Sequence, residues 1–270
     1  MKRVSLASET AGVAGLFDLR ETGRTPARSG DERPLADFAD TRLVVNPEAN
    51  AVFVEQYRRL GAALHQAQIQ QGVRTVMVTS ALEAEGKTLS ATNVALTLSH
   101  SFGKRVLLVD GDLRKPSVHQ LLTLQNGDGL SDMLRRPSGR LPTQEVLPTL
   151  SVITGGHYDP DPVAVLVSDA VQQFFNDARD QFDWIVVDTP PIILFPDAGL
   201  FADKLDTCLL VLSAATTASP IAARAVEAIG ASRILGVVLN RAESSEVAGG
   251  YGYGHYGYPG TRGPNSTFTG

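Results

Sequence analysis

The chain has 270 residues, 43% hydrophobic and 20% charged, with a formal net charge of -5 at pH 7. This composition is typical of a globular domain, and the acidic balance argues against a nucleic-acid partner. The single cysteine, Cys208, lies in an apolar run, which excludes a disulfide framework and predicts a buried thiol in the cytoplasm. Neither a run of ~20 apolar residues nor a signal peptide is apparent, so any place at the inner face of a membrane is expected to depend on a partner.

The two ends of the chain differ in composition from its middle. Residues 1–46 mix Arg, Gly, Pro, Thr and Asp without sustained periodicity, which predicts a mobile N-terminal arm. Residues 243–270 are rich in glycine and poor in aliphatic side chains, which predicts a disordered tail. The folded domain is therefore expected to span residues 47–242.

Segments with helical and strand patterns alternate along this middle part. A helix is expected over residues 50–67, because Phe53, Tyr57 and Leu60 recur at three- and four-residue spacing. Further helices are expected over residues 89–102, 169–182 and 220–229, and strands over residues 73–79, 105–110, 150–154, 184–188, 209–213 and 235–240. The alternation predicts an α/β fold with a mostly parallel sheet covered by helices on both faces. Ligands of such sheets bind at the carboxyl ends of the strands.

Residues 76–92 have the pattern of a strand, a tight loop and the start of a helix. The loop ends in Gly86-Lys87-Thr88, the core of a phosphate-binding loop, although Ala81 replaces the first glycine of the general pattern. Lys87 would reach the β- and γ-phosphates, and the Thr88 hydroxyl suits Mg²⁺. The candidate nucleotide-binding residues here are Glu85, Gly86, Lys87, Thr88 and Leu89. The alternative is a chance Gly-Lys-Thr in a strand-to-helix turn.

Three aspartates follow two of the expected strands. Asp110 and Asp112 belong to VLLVDGDLRKP, and Asp188 ends WIVVD. Carboxylates held at strand ends downstream of a phosphate loop can hold Mg²⁺ or its water shell and can accept a proton from an attacking hydroxyl. Each Asp alone is also a common turn residue, but three motifs in this order indicate a nucleotide site with Mg²⁺.

Three further polar residues each have more than one possible role. Arg114 and Lys115 follow Asp112 and would contact phosphates, contact an acidic group, or be solvated. Asn240 ends a late strand, where it would read a nucleotide base or form a turn.

The tail carries a cluster of tyrosines between glycines and one histidine. They are Tyr251, Tyr253, Tyr256 and Tyr258. On composition alone this tail is a low-complexity end.

Taken together, TSALEAEGKT, VLLVDGDLRKP, WIVVDTPP and the tyrosine cluster resemble the bacterial tyrosine kinases (BY-kinases) of capsule and exopolysaccharide systems, of the CpsD/CapB type. The phosphate and acidic motifs are shared with the wider MinD/ParA-like P-loop ATPases. The DGDLRKP form and the tyrosines favour the kinase.

The resemblance implies a role for each motif. Lys87 and the loop backbone bind the phosphates of ATP, Thr88 and Asp188 hold Mg²⁺, and Asp110 and Asp112 support metal binding and activate the tyrosine hydroxyl. The tail tyrosines are the phosphoacceptors of autophosphorylation, in which one subunit presents its tail to the next. This implies a homo-oligomer. The resemblance also implies a membrane adaptor of the Wzz-like chain-length-determinant type and a cognate tyrosine phosphatase.

Two departures from the family pattern bear on activity. Glu83-Ala84 replaces the usual Pro-Gly, and if that glycine position has φ > 0, Ala84 costs about 1 kcal/mol and weaker ATP binding is expected. In the E-x-x-R-x-x-R pattern tied to ring assembly, Gly61 replaces the last Arg, so ring formation stays open. Two other functions therefore compete with the kinase: a MinD/ParA-like ATPase switch and a degraded, nucleotide-sensing scaffold.

Overall fold

The chain folds around a seven-stranded sheet with the order β3-β4-β2-β5-β1-β6-β7. The structure, a computed structural model, describes residues 38, 40–137, 140–214 and 216–242. The strands are β1 (Thr75–Ser80), β2 (Val106–Asp110), β3 (Gln144–Leu147), β4 (Leu150–Ile153), β5 (Trp184–Asp188), β6 (Thr207–Ser213) and β7 (Ile234–Asn240). Only the β3–β4 pair is antiparallel among these strands. The predicted α/β class with a mostly parallel sheet is confirmed.

Helices cover both faces of the sheet. They are α1 (Ala51–Gln71), α2 (Lys87–His100), α3 (Val118–Leu121), α4 (Leu130–Arg135), α5 (Pro162–Leu166), α6 (Asp169–Gln181), α7 (Asp197–Ala202) and α8 (Ser219–Ile229), with a 3-10 turn at Ala231–Arg233. One core cluster packs α1 and α2 on the face that carries Val76 and Trp184, and the other packs α6, α7 and α8 on the face that carries Met77 and Ile185. The alternation of buried side chains along each strand therefore separates two cores.

The first helix begins and ends at residues that cap it. The Asn50 side chain accepts hydrogen bonds from the Val52 and Phe53 amides, and Gly72 ends α1 with φ 71°. Gly61 lies where α1 packs on α2, and a Cβ there would come within 3.0 Å of Thr97 in α2 and 2.6 Å of Phe102 just after it. A glycine at this position, where the family has arginine, therefore allows α1 to pack closely on α2.

The packed region begins before the predicted boundary at residue 47. Phe38, Leu43 and Val45 are buried in the first core. The Asn93 side chain of α2 accepts from the Val44 amide at 2.9 Å and donates to the Arg42 carbonyl at 2.9 Å. Periodicity could not detect this segment because it is a series of turns. The rest of the predicted arm, the predicted tail and its four tyrosines lie outside the described residues.

In the part of the chain that the structure covers, no helix has the length and apolar character needed to cross a membrane.

Asp206 links the amino-terminal ends of the neighbouring strands β1 and β6. Its Oδ2 atom accepts from the Arg74 and Thr75 amides at 2.8 Å each, and its Oδ1 atom accepts from the Arg179 guanidinium at 2.8 Å. Burial acts to raise the pKa of Asp206, but the bonds to Arg179 and the two amides outweigh it, so the pKa lies below its usual value. The charged carboxylate therefore stabilises the fold.

We expect Asp206→Asn to lower the free energy of unfolding by about 1–3 kcal/mol at pH 7, because an amide offers one oxygen where the carboxylate offers two. A depressed pKa gives stability that is present above the unfolded pKa of about 3.9 and is lost as pH falls through the folded value. The gap between wild type and variant should thus narrow below about pH 4. Urea unfolding at several pH values measures it, and equal stability at pH 7 would contradict the prediction.

Candidate active site

The predicted phosphate-binding stretch forms the turn between β1 and α2. Gly86 precedes the helix with φ 95°, in the left-handed region, and any Cβ there would overlap the Asn240 amide. Lys87 and Thr88 form the first turn of α2, so the loop lies at the positive end of the helix dipole. The turn and the helix start bring together the predicted nucleotide-binding residues Glu85, Gly86, Lys87, Thr88 and Leu89.

The Glu85 side chain braces the loop from inside. It is 3% exposed, and its Oε2 atom accepts from the Leu82 amide at 2.8 Å, while Oε1 accepts from the Thr217 hydroxyl. Glu85 was predicted to bind the nucleotide, and because its carboxylate bonds to Leu82 and Thr217, any contact with a ligand would come from its backbone. Thr217, in the turn before α8, could not be found from the sequence because no motif links it to the loop.

The end of β7 holds two consecutive carbonyls of the same loop. Asn240 Nδ2 donates to the Glu85 carbonyl at 2.8 Å, and the Arg241 guanidinium donates to the Ala84 carbonyl at 2.8 Å. Asn240 was predicted to read a base or to form a turn; the structure places its amide on the loop backbone. Ala84 has φ 60°, so the position where the family has glycine is left-handed in this chain.

The three aspartates converge on Lys87 at the carboxyl ends of β2 and β5. Asp110 and Asp188 are directly paired across the two strands. The Lys87 Nζ atom lies 2.7 Å from Asp112 Oδ2 and 3.6 Å from Asp188 Oδ2. The Thr88 hydroxyl donates to Asp188 Oδ2 at 2.7 Å. The sheet thus assembles into one cluster the residues that the sequence predicted as catalytic.

Burial dominates the electrostatics of this cluster. It raises the pKa of Asp110 to about 8, with the Asp188 charge adding to the effect. It raises the pKa of Asp188 to about 6, although Lys87 and the Thr88 hydroxyl act in the opposite direction. Burial acts to lower the pKa of Lys87, but the Asp188 and Asp112 charges outweigh it, so this pKa lies above its usual value. The cluster is therefore a place where a cation is strongly favoured.

The donor atoms of the cluster suit Mg²⁺. Asp110 Oδ1 and Asp188 Oδ1 are buried and have no hydrogen-bond partner within the described ranges, an arrangement that is costly unless another group binds them. Carboxylate and hydroxyl oxygens are the ligands that this hard cation prefers. Asp110, Asp188 and Thr88, the residues predicted to hold the metal, therefore fit it. Ser117, whose hydroxyl lies 3.1 Å from Thr88 Oγ1, also faces this point and was not predicted.

Arg114 contacts an acidic group. Its guanidinium donates to Asp197 at 2.7 and 3.0 Å and lies over the Phe195 ring, 4.8 Å from the ring centre. Asp197 is buried, so this pair fixes the loop after β2 to the start of α7. Of the alternatives for Arg114, the structure selects the acidic partner, while Lys115 is exposed.

This sheet, its loop and the acidic strand ends are those of a P-loop NTPase. The ParA family model, described as "NUBPL iron-transfer P-loop NTPase", matches residues 72–248. Solved structures extend the likeness: the chimerical protein CapA2B2 is 27% identical, with a TM-score of 0.68 over 75% of this chain and 91% of that chain.

Curated relatives narrow this class. Tyrosine-protein kinase YwqD of Bacillus subtilis (strain 168) is 33% identical over 224 residues, which are 82% of this chain and 92% of the relative. Putative tyrosine-protein kinase CapB of Staphylococcus aureus is 28% identical over 74% of this chain and 89% of the relative. The chain belongs to the bacterial tyrosine kinase family, within the ParA-like P-loop NTPases.

Proposed function

We propose that this chain is an ATP-dependent protein-tyrosine autokinase that regulates exopolysaccharide or capsule synthesis or export. The observation that carries the proposal is the position of the Lys87 ammonium, between Asp112 and Asp188 at the start of a helix whose preceding loop is shaped for phosphate. Phosphoryl transfer depends mainly on positioning and charge neutralisation, and this site provides both.

Each group of the cluster has a distinct part in the proposed reaction. Thr88, Asp110 and Asp188 would hold Mg²⁺, which when bound supplies neutralisation of charge on the phosphate oxygens. Lys87 binds the phosphates and keeps them against the loop. Asp112 accepts the proton of the acceptor phenol, whose unperturbed pKa is about 10. The phenol oxygen then forms its bond to the γ-phosphorus as the bond between that phosphorus and ADP breaks.

The proposed acceptors are the tail tyrosines of a neighbouring copy. Tyr57, by contrast, is buried, and its hydroxyl lies 3.4 Å from Ser90 Oγ, so it cannot enter a neighbouring site. The family resemblance supports self-association, a Wzz-like membrane adaptor that holds the protein at the inner face of the membrane, and a tyrosine phosphatase that reverses the reaction.

Phosphosite mapping tests the proposal. The full chain is incubated with ATP and Mg²⁺, with and without an adaptor peptide, beside a variant in which Tyr251, Tyr253, Tyr256 and Tyr258 are all Phe. We expect phosphotyrosine in the tail of the wild type and a loss of nearly all phosphotyrosine in the variant. Absence of tail phosphate under both conditions, with ATP bound, would contradict the proposal.

The ParA-like fold supports a second function, an ATPase switch. Such a switch would hydrolyse ATP and dimerise without transferring phosphate to tyrosine. The same incubation distinguishes the two, because free phosphate without phosphotyrosine indicates the switch. The named kinases among the relatives favour the autokinase.

A further inference from the structure

The last residue of β7 and the residue after it hold the phosphate loop through its backbone. Arg241 donates to the Ala84 carbonyl and Asn240 to the Glu85 carbonyl, at 2.8 Å each. The Asn240 side-chain oxygen in turn accepts from the Arg241 amide at 3.0 Å. Two adjacent peptide groups of the loop are therefore held from one side by two adjacent residues.

Because the peptide group is planar, these hydrogen bonds fix the directions of the loop N–H groups. In a trans peptide the C=O and the following N–H point in opposite directions. When Arg241 holds the Ala84 carbonyl, the Glu85 N–H is directed away from Arg241, and the same holds for Gly86 N–H and Asn240. Backbone N–H groups with a fixed common direction are what a phosphate loop needs.

This chain needs such a restraint more than a chain with glycine at position 84. Ala84 has φ 60°, and a left-handed conformation costs an L-residue about 1–2 kcal/mol. Relaxing to negative φ would rotate the neighbouring peptides and turn their N–H groups. Arg241 is itself left-handed, with φ 59°, so this end of β7 is also held in an uncommon conformation.

We propose that Arg241 is a positioning residue for nucleotide binding, which compensates for Ala84 by fixing the Ala84–Glu85 peptide in the orientation that presents its N–H to the phosphates. This inference rests on the proposed use of ATP. It assigns no contact between Arg241 and the nucleotide, and it concerns ATP affinity rather than the transfer step.

A double-mutant cycle tests the inference by calorimetric binding of ATP with Mg²⁺ to the full chain. We expect Arg241→Ala to weaken binding about 10-fold, the size of one hydrogen bond from a charged group. In the Ala84→Gly background, where the backbone conformation is free of cost, the same substitution should weaken binding by no more than about 2-fold. Arg241→Lys, which can donate to the same carbonyl, should recover part of the loss.

Arg233→Ala is the matched control, because Arg233 lies just before the other end of β7 and pairs with Asp203 at 2.6 Å. It should leave ATP affinity unchanged. The inference is overturned if Arg241→Ala binds ATP as tightly as wild type, or if it causes equal losses with Ala84 and with Gly at position 84. If Arg241→Ala does not fold, Arg241→Gln enters the cycle in its place. Failure of the autokinase proposal is separate, since it appears as missing tail phosphotyrosine while ATP still binds.

Discussion

A Lys87→Met variant is expected to lose tail phosphorylation by about 100- to 1,000-fold. Lys87 is the cation that the buried carboxylates of Asp112 and Asp188 surround, and it begins the helix behind the phosphate loop. Methionine has nearly the same length and no charge, so the substitution removes electrostatic stabilisation of the transferring phosphoryl group. Initial rates of phosphotyrosine formation at saturating ATP measure the loss.

Lys204→Met is the control for this experiment. Lys204 follows α7 and precedes β6, so it lies at the amino ends of the strands, on the opposite edge of the sheet from the site. Its replacement should leave the rate unchanged, and circular dichroism should show both variants folded. Phosphorylation that persists in a folded Lys87→Met variant would remove this site from the reaction.

Gly86→Ala is expected to weaken ATP binding by at least about 100-fold, because the substitution causes both a steric clash and backbone strain. The new Cβ would occupy the position of the Asn240 amide, which would then lose its bond to the Glu85 carbonyl. The backbone at Gly86 also has φ 95°, which L-residues rarely adopt. Calorimetric titration with ATP and Mg²⁺ measures the change.

Gly72→Ala is the control for strain at a left-handed glycine outside the loop. Gly72 ends α1 with φ 71°, but a Cβ there would meet open space. This variant should lose about 1 kcal/mol of stability and keep its affinity for ATP. If Gly86→Ala binds ATP as well as Gly72→Ala does, the loop does not form the phosphate site.

The sequence was sufficient to predict the parallel sheet and the cluster around Lys87. Both depend on patterns contained within single segments: apolar strands, and charged residues at the point where a strand ends. Asp110 and Asp188 become neighbours because their strands do, and parallel strands end at one edge of the sheet.

Contacts between segments that are distant in the chain could not be predicted from the sequence. Thr217 and Arg241 contact the loop across 132 and 157 residues of chain, and a single sequence has no signal that relates such positions. The short helices α3, α4, α5 and α7 span four to six residues, too few for a period of 3.6 to be recognised. Glu85 shows the same limit, since a carboxylate beside a phosphate loop gives no indication that its partners lie inside the protein.

The buried thiol of β6 makes the chain convenient for site-specific labelling. Cys208 is the single cysteine of the sequence, it is 2% exposed, and burial raises its pKa to about 12. Because the thiolate is the species that reacts with maleimides, Cys208 of the native protein should not react with them. A cysteine introduced at Tyr251 or Tyr258 can therefore carry a single fluorophore, and energy transfer to a labelled nucleotide would report when a tail enters a site.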